Sequence, residues 1–186
     1  MPAQFWESLL NSPNPGAGPA YATSATLLDV SPGSANPAQT GQPAIVLPAN
    51  FLYVGQVLRM TAYGVFSNTG TPTLLLGFYY GGVAGVALAA TGATTTTTAA
   101  TNWPFRMEMT STVRSTGTSG SIISQGFVDL ATSLTAVTRI PIPATALATV
   151  TIDTTAAKAV TVGAQWGTSS GSNTLTCHQF LVEAMN

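Results

Sequence analysis

The chain has 186 residues, which is enough for one domain of about 140 residues and an appendage. Only 6% of the residues are charged, against about 25% in an ordinary soluble domain, and the net charge is −1. The five basic residues stand singly, so the clustered Lys and Arg of nucleic-acid-binding proteins are absent, and no apolar run reaches the roughly 18–20 residues of a membrane span.

The first 43 residues differ in composition from the rest. Pro2 suits the first turn of a short helix, which Asn11 and Pro13 would end. Prolines and glycines then recur too often for an independent core, and only residues 26–30 are suited to pair as a strand. The sequence therefore predicts an extended Pro/Gly-rich arm with a short helix over residues 1–43, followed by a β-sandwich domain over residues 44–186.

The predicted helix carries apolar side chains at a spacing of four residues, in the pairs Phe5/Leu9 and Trp6/Leu10. A helix of about nine residues is marginal in water, so these side chains need a surface to pack on. That surface belongs either to the chain's own domain or to a neighbouring subunit. We take Phe5, Trp6, Leu9 and Leu10 as candidate partner-binding residues that anchor the arm.

From residue 44 onwards, apolar and polar residues alternate with the period of two that is typical of half-buried strands. The clearest runs are residues 57–66, 103–110 and 160–166. Thr73–Tyr80 is almost wholly apolar, which predicts a strand covered on both faces. The last run covers residues 174–184. If it is a regular strand, one of its faces has Leu175, Cys177 and Leu181, and the opposite face has Phe180 and Val182.

Short glycine-bearing stretches separate these runs, at residues 68–70, 81–82, 117–120 and 167–171. Such connections suit hairpins between antiparallel strands. We therefore predict an all-β fold, an antiparallel jelly-roll-like β-sandwich of about eight strands.

Two loops have unusual compositions. Residues 91–101 are rich in Thr and include five consecutive threonines, which predicts an exposed, mobile loop, although a Thr-rich strand is the alternative. Residues 140–143 read Ile-Pro-Ile-Pro. Because proline cannot donate a ladder hydrogen bond, this piece is expected at a sheet edge or in a crossover.

The only cysteine, Cys177, is followed by the only histidine, His178. Adjacent residues of a strand point to opposite faces, so we expect a buried thiol and an exposed imidazole rather than a nucleophilic pair. A single cysteine gives no internal disulfide, and one histidine gives no zinc-ligand cluster. The lack of a disulfide framework indicates synthesis in a reducing cytoplasm, and no signal peptide is evident. We predict no cofactor and no metal.

The six acidic residues offer little for catalysis. Glu108 is expected to form a cross-strand ion pair with Arg59 or Arg106. Asp153 is expected to initiate a turn by accepting a hydrogen bond from an amide two residues on. The sequence therefore predicts that the chain is not an enzyme. A hydrolase of surface polysaccharide would have to use Glu108, Asp129 and Asp153.

A family resemblance begins with Leu52-Tyr-Val-Gly-Gln-Val-Leu-Arg-Met-Thr-Ala62, which resembles the opening core strand of a group of tailed-bacteriophage virion proteins. Further similar segments, in order, are residues 74–82, 103–112, 152–155, 160–166, 173–175 and 180–183. The resemblance spans roughly residues 50–186, whereas the arm matches no segment of that family.

The resemblance implies a jelly-roll structural protein of the virion, made in the host cytoplasm. It would be a head decoration (cement or minor capsid) protein or a tail component. Such modules commonly form trimers, so the expected partners are copies of the chain itself and the major capsid protein or other virion proteins. The alternative is a tail or fibre module that binds host-surface glycan. Tyr79, Tyr80, Trp103 and Trp166 would then stack on sugars, although core packing is the better expectation for the two tryptophans.

Overall fold

The computed structural model describes residues 8–10, 26–31 and 45–185, and these residues form thirteen β-strands and no helix. In chain order the strands are β1 (Ser8–Leu10), β2 (Leu28–Asp29), β3 (Val46–Leu47), β4 (Val57–Ser67), β5 (Thr73–Tyr80), β6 (Val86–Ala90), β7 (Thr94–Thr95), β8 (Trp103–Ser115), β9 (Gly120–Ser133), β10 (Ala136–Ile142), β11 (Thr149–Ile152), β12 (Lys158–Trp166) and β13 (Thr174–Ala184).

The strands form two antiparallel sheets that pack face to face as a sandwich. The first sheet has seven strands in the order β1-β13-β4-β8-β9-β10, and β11 also pairs with β9. The second sheet has six strands, with the order β2-β12-β5-β6, and the short β3 and β7 pair with β12 and β5.

Eight of these strands have the connectivity of a jelly roll. Taken in chain order they are β1, β2, β4, β5, β6, β8, β12 and β13. The first sheet then contains the first, eighth, third and sixth of them side by side, and the second sheet contains the second, seventh, fourth and fifth. The prediction of a jelly-roll-like sandwich is confirmed. Strands β9, β10 and β11 extend the first sheet beyond the sixth strand of this set.

The core lies between the sheets and is built by the alternation that the sequence shows. Leu58, Met60 and Phe66 of β4 are buried, as are the inward residues of β8 and β12. The ring of Phe66 lies 6.5 Å from that of Trp166, so contacts cross from one sheet to the other. β5 spans Thr73–Tyr80 as predicted, and most of its residues are buried on both faces.

β13 contains a β-bulge that changes the predicted parity. Its register against β4 passes from Cys177 opposite Gly64 directly to Gln179 opposite Tyr63, so His178 is an extra residue. As a result Leu175, Cys177, Phe180 and Val182 are all buried. The strict alternation that we predicted for this strand, with Leu181 sharing the parity of Cys177, is wrong because the bulge shifts the phase by one residue.

Two pieces of the predicted arm are strands of the sandwich. β1 pairs with β13, with Leu9 opposite Val182, and β2 pairs with β12, as expected for residues 26–30. The predicted helix is therefore wrong for Ser8–Leu10, where the edge of β13 supplies backbone partners that a marginal helix lacks. Its remainder lies outside the described residues. The predicted boundary at 43/44 comes after the first two jelly-roll strands.

The threonine-rich tract is held against the second sheet. Thr91 Oγ1 accepts a hydrogen bond from the Leu76 amide at 3.0 Å, and Thr96 Oγ1 donates one to the Pro72 carbonyl at 2.7 Å. Both threonines are buried, and Thr94–Thr95 pairs with β5. The expected exposed loop is therefore wrong at these positions, because threonine hydroxyls satisfy backbone groups that would otherwise be unpaired.

Candidate functional site: a charged face and an apolar edge

Six charged side chains lie on the outward face of the first sheet and form three ion pairs. Arg59 Nε lies 2.8 Å from Glu183 Oε2, Arg139 Nε lies 2.7 Å from Asp129 Oδ1, and Arg106 pairs with Glu108. We call these six residues the charged face. The other charged residues of the described ranges are Asp29, Arg114, Asp153 and Lys158.

Sheet register brings the centre of the charged face together. Tyr63, Arg106, Asp129 and Arg139 stand opposite one another on β4, β8, β9 and β10. The Arg139 guanidinium carbon lies 4.0 Å from the centroid of the Phe127 ring. That of Arg106 lies 5.8 Å from the same centroid and 5.7 Å from that of Tyr63, which is within cation–π range.

The ion pairs adjust the acidity of their members. The hydrogen bond from Arg139 lowers the pKa of Asp129, and the same bond raises the pKa of Arg139. The hydrogen bond to Glu183 raises the pKa of Arg59. Three cations and three anions balance on this face. Exposed pairs of this kind contribute little to stability, so the face is suited to remain in water.

The expected partner of Glu108 is present, but on the same strand. Arg106 and Glu108 are two residues apart on β8, so both project from one side of it. The cross-strand pairs are instead Arg59–Glu183 and Arg139–Asp129. Sequence analysis missed the Arg139–Asp129 pair because it depends on the register between β9 and β10.

The edge of the sandwich at β10 exposes apolar side chains. Leu134, at the tip of the β9–β10 hairpin, is 81% exposed, and Val137 is 62% exposed. β10 is the terminal strand of the first sheet and contains Pro141, so the expectation of a sheet edge for residues 140–143 is confirmed. Exposed apolar residues grouped on one element are typical of a contact surface.

A groove of about 360 Å³ lies near this edge, between β6 and the segment that leads from β10 into β11. Its walls are formed mainly by small apolar residues, with Ala87 and Ala89 on one side and Ala146 and Ala148 on the other. The Ala144 amide donates a 3.0 Å hydrogen bond to the Ala90 carbonyl, which ties the two walls together. The lining residues that the structure describes include no charged side chain. We call this feature the alanine groove.

The predicted anchor residues are only partly described. Leu9 and Leu10 are in β1, the strand of the first sheet at the opposite end from β10. Phe5 and Trp6 lie outside the described residues. The alanine groove was missed by sequence analysis. The signal that could have found it is the run of small residues after the prolines, Pro143-Ala-Thr-Ala-Leu-Ala148.

Most of the aromatic residues considered for sugar stacking are inside the protein. Trp166 has no exposed surface, and Tyr79 and Tyr80 are buried. The Tyr80 hydroxyl donates a 2.8 Å hydrogen bond to the Asp153 carbonyl, and burial raises the pKa of both tyrosines. Only Trp103 is partly accessible, so these four residues do not form a stacking platform.

The residues considered for catalysis have other partners. Cys177 is buried, which raises the pKa of its thiol to about 12, and His178 is exposed on the bulge, as expected. Asp153 Oδ1 accepts hydrogen bonds from the Thr155 amide at 2.9 Å and hydroxyl at 2.6 Å, so the expected turn is confirmed. Glu108 and Asp129 are bound by arginines on an open strand face.

Across the described ranges, no group of three or more His, Cys, Asp or Glu side chains is placed to hold a metal ion. Those ranges also contain no helix long and apolar enough to cross a membrane. Comparisons with protein-family models, with curated proteins and with solved structures found no match to this chain.

Proposed function

We propose that the chain is a structural protein of a tailed-bacteriophage particle, a head decoration or minor capsid protein that stabilises the shell through contacts between subunits. Its partners in this proposal are copies of itself, with a trimer favoured, and the major capsid protein. The family resemblance of residues 50–186 supports the proposal, and the jelly-roll connectivity is compatible with it, although that fold also occurs in lectins and enzymes.

The observation that carries the proposal is that the described surface has one region rich in ion pairs and another that is apolar and uncharged. The charged face contains all three ion pairs of the described residues. The β10 edge exposes Leu134 and Val137, and the alanine groove near it has no charged lining residue among those described. Only 6% of the residues of the chain are charged, and the ion-paired ones among those described are on the charged face. The hairpin tip and the groove therefore have few charged side chains that would oppose association with another protein surface. Val137 is two residues before Arg139 on β10, so the two surfaces meet there. We infer that the hairpin tip with Leu134 and Val137 and the alanine groove are covered in the assembly, and that the charged face beyond Arg139 meets solvent.

Glycan binding is less well supported. It would need accessible aromatic rings, whereas Tyr79, Tyr80 and Trp166 are buried. Polysaccharide hydrolysis would need a cleft with two carboxyl groups in different environments. Glu108 and Asp129 are instead each paired with an arginine on an open face.

A binding experiment tests the proposal. Purified chain is mixed separately with phage heads stripped of minor proteins, with isolated tails and with host cells, and the bound fraction is measured after sedimentation. We expect saturable binding to heads. Binding to tails or cells alone would overturn the decoration role, and turnover of a surface polysaccharide would overturn the structural role altogether.

The same preparation tests self-association. Sedimentation velocity is expected to detect an oligomer, with a trimer as the favoured species. Leu134→Asp together with Val137→Asp should weaken this oligomer, because both side chains are already exposed in the isolated fold and charges there oppose burial in an interface. The matched control is Thr110→Asp, at an exposed position of β8 on the charged face. A monomer at every concentration would contradict the proposed subunit contacts.

A further inference from the structure

The alanine groove and the start of the described chain lie at opposite sides of the sandwich. The groove is bounded by β6, which packs against β9 and β11. Ser8 begins β1, and in the first sheet β1 is separated from β9 by β13, β4 and β8. Four inter-strand steps of about 4.8 Å each amount to about 19 Å, and β6 lies a further sheet spacing of about 10 Å away.

The aromatic residues of the arm are attached close to Ser8. Trp6 is two residues before Ser8, and Phe5 is three residues before it. Since an extended chain advances at most about 3.3–3.6 Å per residue, the three steps from Phe5 to Ser8 span at most about 11 Å. This span is shorter than the strand and sheet spacings between β1 and β6, which favours the alanine groove of another copy over that of the same subunit.

The chemistry of the two partners matches. Residues 1–6, Met-Pro-Ala-Gln-Phe-Trp, have no charged side chain, and Glu7 follows directly after Trp6. The alanine groove is apolar, has a volume of about 360 Å³, and is walled by small residues that leave room for large rings. Aromatic side chains bury more area than other residues do, and they are enriched at the centres of interfaces.

We infer that Phe5 and Trp6 of one subunit bind in the alanine groove of a second copy of the same chain, an inference that rests on the proposed self-assembly. Since the arm and the groove are on opposite edges, the contact is head-to-tail. A head-to-tail contact that closes on itself forms a ring, and a ring is the arrangement that the favoured trimer requires.

Paired variants test the inference in the full-length chain. Phe5→Ala with Trp6→Ala removes the rings, and Ala148→Arg places a charge in the groove, where the side chain is already exposed. Each should weaken self-association by about tenfold or more, as expected for a buried aromatic anchor. Thr110→Arg, at an exposed position of β8 on the charged face, is the matched control and should leave association unchanged.

A disulfide experiment identifies the pairing directly. Trp6→Cys and Ala148→Cys are placed on separate chains with different tags, in a Cys177→Ala background, and the mixture is oxidised. A disulfide between the two tagged chains supports the inference. Oxidation that yields no disulfide between the two tagged chains, or equal loss of association in the Thr110→Arg control, overturns it.

The outcomes separate the inference from the proposed function. If the arm and groove variants still associate and decorate heads like the wild type, the groove contact is wrong and the decoration role stands. If only Ala148→Arg has an effect, the groove receives some other segment and the inference is again wrong. If the wild-type chain neither associates nor binds heads, the proposed function itself fails.

Discussion

Arg139 binds Asp129 through two hydrogen bonds, of 2.7 and 2.8 Å, across the last two strands of the first sheet. The same guanidinium group covers the Phe127 ring. This pair joins the added β10 strand to β9 on the charged face. Because the pair requires an ionised Asp129, the strength of this link between β9 and β10 depends on pH.

We expect Asp129→Asn to lower stability near neutral pH but not in acid. Arg139 lowers the pKa of Asp129 below its ordinary value of 3.8. The pair therefore stabilises the fold above that pH, and this contribution is lost as the pH falls through the lowered pKa. Urea unfolding of both proteins over a pH series measures the effect, which should be small because the pair is exposed. If the difference in free energy of unfolding between the two proteins did not change with pH, the ion pair would not be the cause of the destabilisation.

Asn68 is expected to be a major stabilising residue of the threonine-rich tract. Its buried Nδ2 donates to Thr96 Oγ1 and to the Thr97 carbonyl, both at 2.8 Å, and its Oδ1 accepts from the Ala100 amide at 2.8 Å. Asn68→Ala removes this partner from the Thr97 carbonyl and the Ala100 amide and leaves Thr96 Oγ1 with only its bond to the Pro72 carbonyl, so it should cost about 2–4 kcal/mol. This corresponds to a lowering of the melting temperature by about 5–15 °C.

Calorimetry or circular dichroism measures the Asn68 effect. The control is Thr98→Ala, at an exposed position of the same tract, which should change stability by less than about 0.5 kcal/mol. Equal melting temperatures for Asn68→Ala and the wild type would contradict the assigned hydrogen-bond network.

The bulge in β13 predicts an unusual tolerance. Deleting His178 should leave a folded protein, because Cys177 then precedes Gln179 with regular alternation and the register against β4 is kept. Deleting Thr176 instead should prevent folding, because either Leu175 or Cys177 must then leave the core. Cooperative thermal unfolding of each variant is the measurement. Failure of the His178 deletion together with success of the Thr176 deletion would exclude this register.

Cys177 should be unreactive in the folded protein. Its thiol is buried and has a pKa raised to about 12, so almost no thiolate is present at neutral pH. Alkylation by iodoacetamide is expected only after denaturation, and mass spectrometry detects it. Because the folded state favours the protonated thiol, its contribution to stability is complete below pH 9 and is lost as the pH rises towards 12. Cys177→Ala should remove this alkaline dependence, whereas rapid labelling of the native chain would contradict the burial.

Much of the sandwich could be predicted from local patterns. β5 was predicted at its observed bounds, and the alternation in β4, β8 and β12 identified their buried faces. These strands are long, and each presents a continuous apolar face, so the period of two is unambiguous there.

The remaining features depend on contacts that no local pattern reports. The bulge at His178 is defined against Gly64 and Tyr63, more than a hundred residues earlier in the chain. Ser8–Leu10 is extended because β13 is beside it, although its spacing is compatible with a helix. The alanine groove needs β6 and the approach to β11 to be neighbours, and short alanine-rich segments have no signature of their own.

The pairing of β1 with β13 and of β2 with β12 has a consequence for folding. Each pair joins residues that are more than 130 positions apart in the chain, so the entropy of closing a very long loop is lost before these ladders can form. The hairpins of the sandwich need no such loop, and they can form while β1 and β2 are still unpaired. Closure of the sandwich by β12 and β13 is therefore expected to be a late and slow step of folding.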